Sequence, residues 1–254
     1  MIHRRQAGCR LPATSTQYGL FMPLFWLTDD PLAFPPGSLA TPEGILAVGG
    51  DLSTRRLLEV YARGSFPWYN EGDPILWWCP DPRFVLFPNE LKVSKSMRPY
   101  FNQQKFTVTL DTCFAEVIGN CRQVGRRGQG GTWINDDIVA SFTELHEMGF
   151  AHSVEVWQDG RLAGGLYGIG LGKVFFGESM FALAPNASKF GFITLVRHLE
   201  ARGYALIDCQ QETQHLASLG ARAIPRDEFL KLLHELKTSR YHTTPGKWSL
   251  QPSL

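Results

Sequence analysis

The sequence predicts an α+β fold, with a small N-terminal α/β domain followed by a larger domain built on a mostly antiparallel sheet. Residues 152–181 contain three strand-like runs separated by tight-turn signals at Asp159-Gly160 and at residues 170–172, which predict an antiparallel meander. Segments with helical periodicity flank the meander on both sides. Before Pro82 the chain is dense in proline and glycine, which favours short strands joined by turns and suggests a domain boundary there.

The small N-terminal domain is predicted to span residues 22–82. Residues 1–21 are expected to form a variable or disordered extension, because they begin with basic residues but lack the apolar stretch of a signal peptide. Ser53 is expected to cap a helix over TRRLLEVYA, with Gly64 at its end. Residues 66–88 contain five prolines and therefore cannot form one regular element.

The larger domain is predicted to span residues 83–240, with a C-terminal tail at residues 241–254. Its elements follow from hydrophobic periodicity and from turn residues. In chain order they are a helix over 94–103, a strand over 106–111, a helix over 113–123, a glycine-rich loop over 124–133, a helix over 135–149, the meander, a helix after Asn186, the strand ALIDCQ over 205–210, and helices around His215 and Phe229.

Composition and charge exclude several classes of protein. The 254 residues include 25 Lys and Arg against 24 Asp and Glu, so no global basic field attracts nucleic acid and any such contact has to be local. The sequence contains no run of about 18 apolar residues, the length that would predict a membrane-spanning helix. Five cysteines lack the paired spacing of zinc sites. We expect a soluble cytoplasmic protein with reduced thiols, no metal and no nucleotide cofactor, since the standard phosphate-loop, nucleophile-elbow and zinc motifs are absent from the sequence.

Two strand-like stretches carry polar side chains among apolar ones. In ALIDCQ, strict alternation places Asp208 and Gln210 on one face, which suits either a catalytic pair or the solvated tip of a strand. In FFGESMF, Glu178 shares a face with Met180 unless Gly177 hosts a bulge. A carboxylate beside apolar side chains needs partners to offset its desolvation, so Glu178 is either such a held charge or an exposed charge on an edge strand.

Aromatic and basic residues suggest where nucleic acid could bind. Trp68 and Trp133 lie in loops bounded by proline and glycine, where an indole can stack on a base or simply cover the core. Five basic residues could contact phosphates or could form a solvated face. They are Lys95, Arg98, Lys105, Arg126 and Arg127.

Several blocks of sequence, taken in order, resemble one family. They are GILAVGGDLS, YARGSFPWYNEGDPILWWCPDPR, GTWI, HSVEVW, GGLYG, FFGESMF with NASK, LIDCQ and HLASLGA. From about Phe34 to Leu233 the chain thereby resembles the leucyl/phenylalanyl-tRNA–protein transferases. The resemblance implies a bacterial enzyme that moves Leu or Phe, and less readily Met, from its tRNA to the N-terminal Arg or Lys of a protein. We expect the enzyme to be a monomer. The product is an N-end rule degradation signal. The larger domain is implied to be of the GCN5-related N-acetyltransferase type, and no cofactor is implied.

The resemblance also implies roles for individual residues. Trp68 and Trp133 match the residues that hold the terminal adenosine of the tRNA. Glu178, Asp208 and Gln210 match the family's polar catalytic trio. The apolar pocket for the transferred side chain is implied to consist of Leu166, Phe175, Met180, Phe192 and Ile207.

For the chemistry we expect the aminolysis of an ester, in which positioning two bound substrates supplies most of the rate. A neutral amide is a poor base. We therefore expect the Gln210 carbonyl to orient the attacking amine, Asp208 to fix that amide and attract the basic acceptor residue, and Glu178 to hold the acceptor cation or amine.

Two other functions remain open at this stage. An acyl-CoA-dependent N-acetyltransferase would share the architecture, but it needs a pyrophosphate-binding glycine turn where this chain has ALAPNASK after FFGESMF. A non-catalytic module that binds the 3′ end of aminoacyl-tRNA would use Glu178 and Gln210 structurally. It predicts binding without turnover.

Overall fold

The computed structural model describes residues 24–123, 133–236, 238 and 242–250. Within these residues the chain forms two sheets with helices packed against them, which confirms the α+β class. A four-stranded sheet belongs to the N-terminal part, and a seven-stranded sheet to the remainder. The predicted extension at residues 1–21 lies outside the described residues.

The N-terminal sheet has the strand order β1-β2-β4-β3, with β1 parallel to β2 and the other pairs antiparallel. Its strands are β1 (Phe25–Leu27), β2 (Ile45–Gly49), β3 (Phe66–Pro67) and β4 (Leu76–Trp78). Between β2 and β3 lies α1 (Thr54–Ala62). The Ser53 hydroxyl accepts a hydrogen bond from the Arg56 amide at 3.4 Å, which confirms the predicted helix cap.

The larger sheet has the order β11-β5-β10-β9-β8-β7-β6. Among the described strand pairs of this larger sheet, only β9–β10 is parallel, so the sheet is mostly antiparallel as predicted. Its strands are β5 (Arg83–Leu86), β6 (Thr107–Leu110), β7 (Ala151–Gln158), β8 (Arg161–Leu171), β9 (Val174–Ala182), β10 (Leu206–Gln210) and β11 (Arg222–Ile224). Strands β7, β8 and β9 are the predicted meander.

In the part of the chain that the structure describes, six further α-helices follow α1. They are α2 (Arg98–Asn102), α3 (Phe114–Gln123), α4 (Asp136–Glu147), α5 (Ala187–Ala201), α6 (Gln214–Ala217) and α7 (Arg226–Glu235). The helix predicted over 94–103 is wrong in its first half, where Lys95–Met97 forms a 3-10 turn. Pro99 explains the break, because a proline ring fits the first turn of a helix but not its interior. Strands β5 and β11 were not predicted as separate strands.

The buried apolar residues form two clusters. The first includes α1, α3 and α4 together with one face of the larger sheet, so it continues across residue 82. Tyr61 of α1 shows this, since its ring meets Phe142 and Phe176 edge-on at centroid distances of 6.4 and 5.4 Å. The second cluster packs α5 on the opposite face. The domain boundary at Pro82 stays a prediction.

The C-terminal segment 242–250 packs on the end of the meander rather than projecting from it. The Gly172 amide donates a hydrogen bond to the Thr243 hydroxyl at 2.8 Å, and the Gly246 amide donates to the Gly149 carbonyl at 3.1 Å. Trp248 is buried in the second cluster. This segment belongs to the predicted tail, and the tail's remaining residues lie outside the described ranges.

Candidate active site

The site lies where two neighbouring strands of the larger sheet part. Strands β9 and β10 are paired from Val174–Leu206 to Phe176–Asp208, and no described pair follows. A cavity of about 440 Å³ begins at this point. Its wall includes residues of β8, β9, β10 and α5, together with residues 66–68 and 211–216. Strand separation therefore brings side chains that are far apart in sequence around one hollow.

Glu178 sits in a β-bulge on β9. Tyr167 of β8 pairs with Ser179, and the next residue of β8 pairs with Gly177, so Glu178 has no opposite partner in the ladder. The bulge at Gly177 that the sequence left open is thus present. It shifts the alternation by one residue, which puts Met180 on the same side as Phe175 and turns both toward the cavity.

Asp208 and Gln210 do not share a strand face, so that prediction is wrong. The pairing of β10 with β5 is irregular between them, and the Gln210 backbone has a φ of 61°. Positive φ is uncommon for a residue with a side chain and persists only where its surroundings enforce it. Here the backbone N–H of Gln210 donates a hydrogen bond to Asp208 Oδ1 at 2.9 Å, which holds the turned backbone.

Asp208 is paired with Arg83 of β5. Arg83 Nε donates to Oδ1 at 2.7 Å and Nη2 donates to Oδ2 at 2.6 Å, and both side chains are fully buried. The guanidinium also lies over the rings of Phe66 and Phe229 at 4.8 and 4.6 Å. This bidentate contact satisfies the carboxylate and neutralises its charge. Asp208 therefore supports the backbone at Gln210, whereas the sequence had suggested that it holds the Gln210 side chain.

The side-chain amide of Gln210 contacts Glu178 instead. Gln210 Nε2 donates a hydrogen bond to Glu178 Oε1 at 3.1 Å, and Gln210 lines the cavity. Because an amide has two donors and one carbonyl acceptor, this bond fixes which end faces a ligand. Glu178 thus fixes the orientation of the Gln210 side-chain amide.

The pKa of Glu178 is raised to about 8, chiefly by burial. The nearby Asp208 carboxylate contributes to this rise, whereas Tyr61, Arg83 and the side-chain amide of Gln210 oppose it. Only 7% of the Glu178 surface is exposed. The Tyr61 hydroxyl is also buried near this carboxyl, although within the described residues it makes no hydrogen bond of ordinary geometry. Glu178 is consequently mostly protonated at pH 7.

The predicted apolar pocket residues all line this one cavity. Four are almost fully buried and belong to the second core cluster, and Met180 is half-buried against it. Their side chains form a continuous apolar wall beside Glu178 and Gln210. The five are Leu166, Phe175, Met180, Phe192 and Ile207.

The two predicted base-stacking tryptophans also line the cavity. Trp68 and Trp133 are both half-buried. Trp68 follows β3, and its carbonyl accepts a hydrogen bond from the Trp78 indole at 2.7 Å. The Trp68 and Trp78 rings lie 5.4 Å apart. Trp68 is therefore held at the cavity by the N-terminal sheet, whereas Trp133 comes from the segment before α4.

The predicted phosphate contacts are not part of the cavity wall. Lys95, Arg98 and Lys105 are exposed near α2, and Lys105 lies over the Tyr100 ring at 4.8 Å. Arg126 and Arg127 lie outside the described residues. No group of three potential metal ligands occurs in the part of the chain that the structure describes. In the same residues, no helix is both long and apolar enough to cross a membrane.

Comparison with known proteins decides the family. The model for leucyl/phenylalanyl-tRNA protein transferase matches residues 85–234, and the model for the N-terminal domain of that transferase matches residues 50–81. The chain belongs to the leucyl/phenylalanyl-tRNA–protein transferase family. Leucyl/phenylalanyl-tRNA–protein transferases from Nitrosospira multiformis and Myxococcus xanthus are 57% and 52% identical to it. The alignments cover 88% and 90% of this chain and 95% and 97% of those relatives.

As a member of the leucyl/phenylalanyl-tRNA–protein transferase family, the chain is an aminoacyltransferase. Among solved structures, L-PGS from Bacillus licheniformis aligns with 64% of this chain and 50% of its own, at 9% identity and a TM-score of 0.38. The family assignment rests on the sequence relatives.

Sequence reasoning missed three residues that shape this candidate site. Arg83 neutralises the charge of Asp208. The hydroxyls of Tyr61 and Tyr167 are buried near Glu178. Burial is the main cause that raises their pKa values, and the charge of Glu178 raises them further. Arg83 directly precedes the apolar run FVLF, which was a visible signal, since a buried cation needs a partner. The two tyrosines carried no such signal.

Proposed function

We propose that the chain transfers leucine or phenylalanine, and less readily methionine, from aminoacyl-tRNA to the N-terminal Arg or Lys of acceptor proteins. The reaction forms a peptide bond and creates an N-end rule degradation signal in the cytoplasm. One observation carries the proposal. A single cavity contains an apolar wall, two tryptophans, and the linked polar groups Glu178 and Gln210.

The apolar wall supports selection of the transferred residue by shape. Leu, Phe and Met are unbranched at Cβ and extend into a hollow lined by side chains such as Leu166, Phe175 and Ile207. Ile and Val carry bulk at Cβ, next to the polar groups, and are expected to fit poorly. One methylene of misfit in an apolar pocket costs about 1–3 kcal/mol, so this discrimination is graded and not absolute.

The tryptophans support binding of the nucleotide to which the amino acid is esterified. An indole presented at a cavity wall can stack on a base, and each such stack is worth about 1–3 kcal/mol. Trp68 and Trp133 line the same cavity as the apolar wall. Stacking the terminal adenosine there places the ester carbonyl beside Gln210. Exposed Lys95, Arg98 and Lys105 are proposed to contact phosphates of the acceptor stem.

The polar groups support attack by an amine. The amine nitrogen bonds to the acyl carbon and gives up a proton, while the ribose oxygen leaves and gains one. An α-amino group has a pKa near 7.7–8.0, so a useful fraction is neutral without a strong base. The Gln210 carbonyl accepts a hydrogen bond from this amine and orients its lone pair, and Glu178 holds Gln210 in that orientation. Positioning of this kind is worth up to roughly 7–11 kcal/mol.

A transfer assay tests the proposal. The protein is incubated with Leu-tRNA and with peptides that begin with Arg, Lys or Ala, and the products are weighed by mass spectrometry. We expect a gain of one leucine on the Arg and Lys peptides and little on the Ala peptide. A parallel reaction with acetyl-CoA should give no acetylated peptide. Tight binding of Leu-tRNA without any product would instead support the non-catalytic binding module.

A further inference from the structure

The C-terminal segment contributes one aromatic residue to the support of the cavity. Trp248 is 5% exposed, and its ring stacks on His152 of β7 at a centroid distance of 3.6 Å and an interplanar angle of 11°. Its backbone amide donates a hydrogen bond to Asp111 Oδ2 at 2.6 Å. Trp248 is therefore fixed both through its ring and through its backbone.

Asp111 is the anchor for this arrangement. Its Oδ2 lies 2.8 Å from His152 Nδ1, and its Oδ1 accepts a hydrogen bond from the Ser153 amide at 2.8 Å. Burial opposes ionisation of the Asp111 carboxyl, but these contacts and the Trp248 amide together lower its pKa. An ionised carboxylate that accepts several hydrogen bonds makes a firm attachment point for the C-terminal segment.

Trp248 reaches the cavity through Phe175. The two rings lie 5.9 Å apart at an angle of 41°, and Phe175 at the same time lines the cavity. The surrounding backbone leaves little space for Phe175 to move. A Cβ atom on Gly168 would lie 2.5 Å from the Phe175 ring, and a Cβ on Gly170 would lie 3.1 Å from the Trp248 ring. Both rings thus pack directly on glycine backbone.

We propose that Trp248 is a positioning residue that sets the size of the aminoacyl side-chain pocket by supporting Phe175. This inference rests on the proposed function, because it concerns which aminoacyl-tRNA is used. Closely packed interiors transmit a change of volume to neighbouring side chains. Without the indole, Phe175 can move back from the cavity, and the pocket then admits a larger side chain more readily.

The test is a competition between Phe-tRNA and Leu-tRNA for one Arg-initiated peptide, with the two products measured together by mass spectrometry. The product ratio reports the ratio of the two kcat/KM values and does not depend on how much of the enzyme is folded. For Trp248→Ala we expect the Phe-to-Leu product ratio to rise about tenfold. This is the lower end of the discrimination between substrates that one methylene of fit in an apolar pocket produces. Trp248→Phe, which keeps a ring beside Phe175, should give a smaller rise.

Leu46→Ala is the matched control. Leu46 is almost fully buried in β2 of the N-terminal sheet and is not part of the cavity wall, so its loss should lower stability and leave the product ratio unchanged. A wild-type ratio in both Trp248 variants would overturn the inference. An equal shift in Leu46→Ala would overturn it as well, since the effect would then follow from lost stability. If the wild-type protein forms neither product, the proposed function itself fails.

Discussion

Replacing Glu178 by glutamine should change how the stability of the protein depends on pH. Glutamine keeps the shape of the side chain and still offers an oxygen to the Gln210 amide, which donates to Glu178 at 3.1 Å. What it removes is an ionisable group in a buried position. In the wild-type protein, the pKa of Glu178 is raised from 4.5 to about 8, mainly by burial.

The size of the effect follows from proton linkage. Between pH 4.5 and pH 8, the folded wild-type protein holds a proton on Glu178 that the unfolded chain has lost. The free energy of unfolding therefore falls as the pH rises, by about 1.4 kcal/mol per pH unit. From pH 5.5 to pH 7.5 the free energy of unfolding of the wild-type protein should fall by about 3 kcal/mol relative to that of Glu178→Gln. Above pH 8 the difference between the two proteins should become constant.

Urea unfolding of both proteins at half-unit steps from pH 5 to pH 9 measures this difference. Glu200→Gln, on the exposed side of α5, serves as the control for removing a carboxylate from the surface. Parallel stability curves for wild type and Glu178→Gln would show that Glu178 is ionised throughout. That result would refute the assignment of a neutral carboxyl beside Gln210.

Three further outcomes are expected. Arg83→Met should lower the free energy of unfolding by about 3–5 kcal/mol, because it leaves Asp208 charged and buried without its partner. Recovery of stability in the Arg83→Met/Asp208→Leu double variant, measured by urea unfolding, would confirm the cause. Met180→Trp should abolish transfer of Phe while the circular dichroism spectrum is retained, and an unchanged Phe rate would remove Met180 from the pocket. Burial and the adjacent Asp208 carboxylate raise the pKa of Cys209, so iodoacetamide at pH 8 should label Cys209 far more slowly in the folded than in the unfolded protein, as peptide mapping would show.

Local sequence signals predicted those parts of the fold that local interactions determine. The Asp159-Gly160 signal predicted the first turn of the meander, and both residues adopt positive φ there. Ser53 caps α1 through its side-chain oxygen as predicted, and α4 lies within the helix predicted over 135–149. Strand β5 escaped prediction because it is four residues long and pairs with β10, whose partner residues lie more than 120 positions away. No periodicity in the sequence reports such a pairing.

The candidate site was predictable in its membership and much less so in its contacts. Apolar and polar residues converge on one cavity as expected, since strands β8 to β10 and α5 are adjacent in the sheet and its covering layer. The partners within the site depend on two departures from regular strand geometry, the bulge at Glu178 and the positive φ of Gln210. Alternation of side chains assumes that neither departure exists.

The charges at the cavity bear on how the proposed basic acceptor would be recognised. Asp208 is neutralised by Arg83, and Glu178 is mostly protonated at pH 7, so these three groups present almost no net charge to an incoming Arg or Lys side chain. Attraction for that cation then has to come from groups beyond them, either exposed carboxylates or the phosphates of the bound tRNA.

Solvent-exposed charges are screened by salt, with a Debye length of about 10 Å at 0.1 M. The preference for Arg-initiated over Ala-initiated peptides should therefore fall as the salt concentration rises, measured as the ratio of kcat/KM values with tRNA saturating. A ratio independent of salt would place the recognising carboxylate inside the buried site, with Glu178 ionised or the Asp208 charge incompletely neutralised by Arg83.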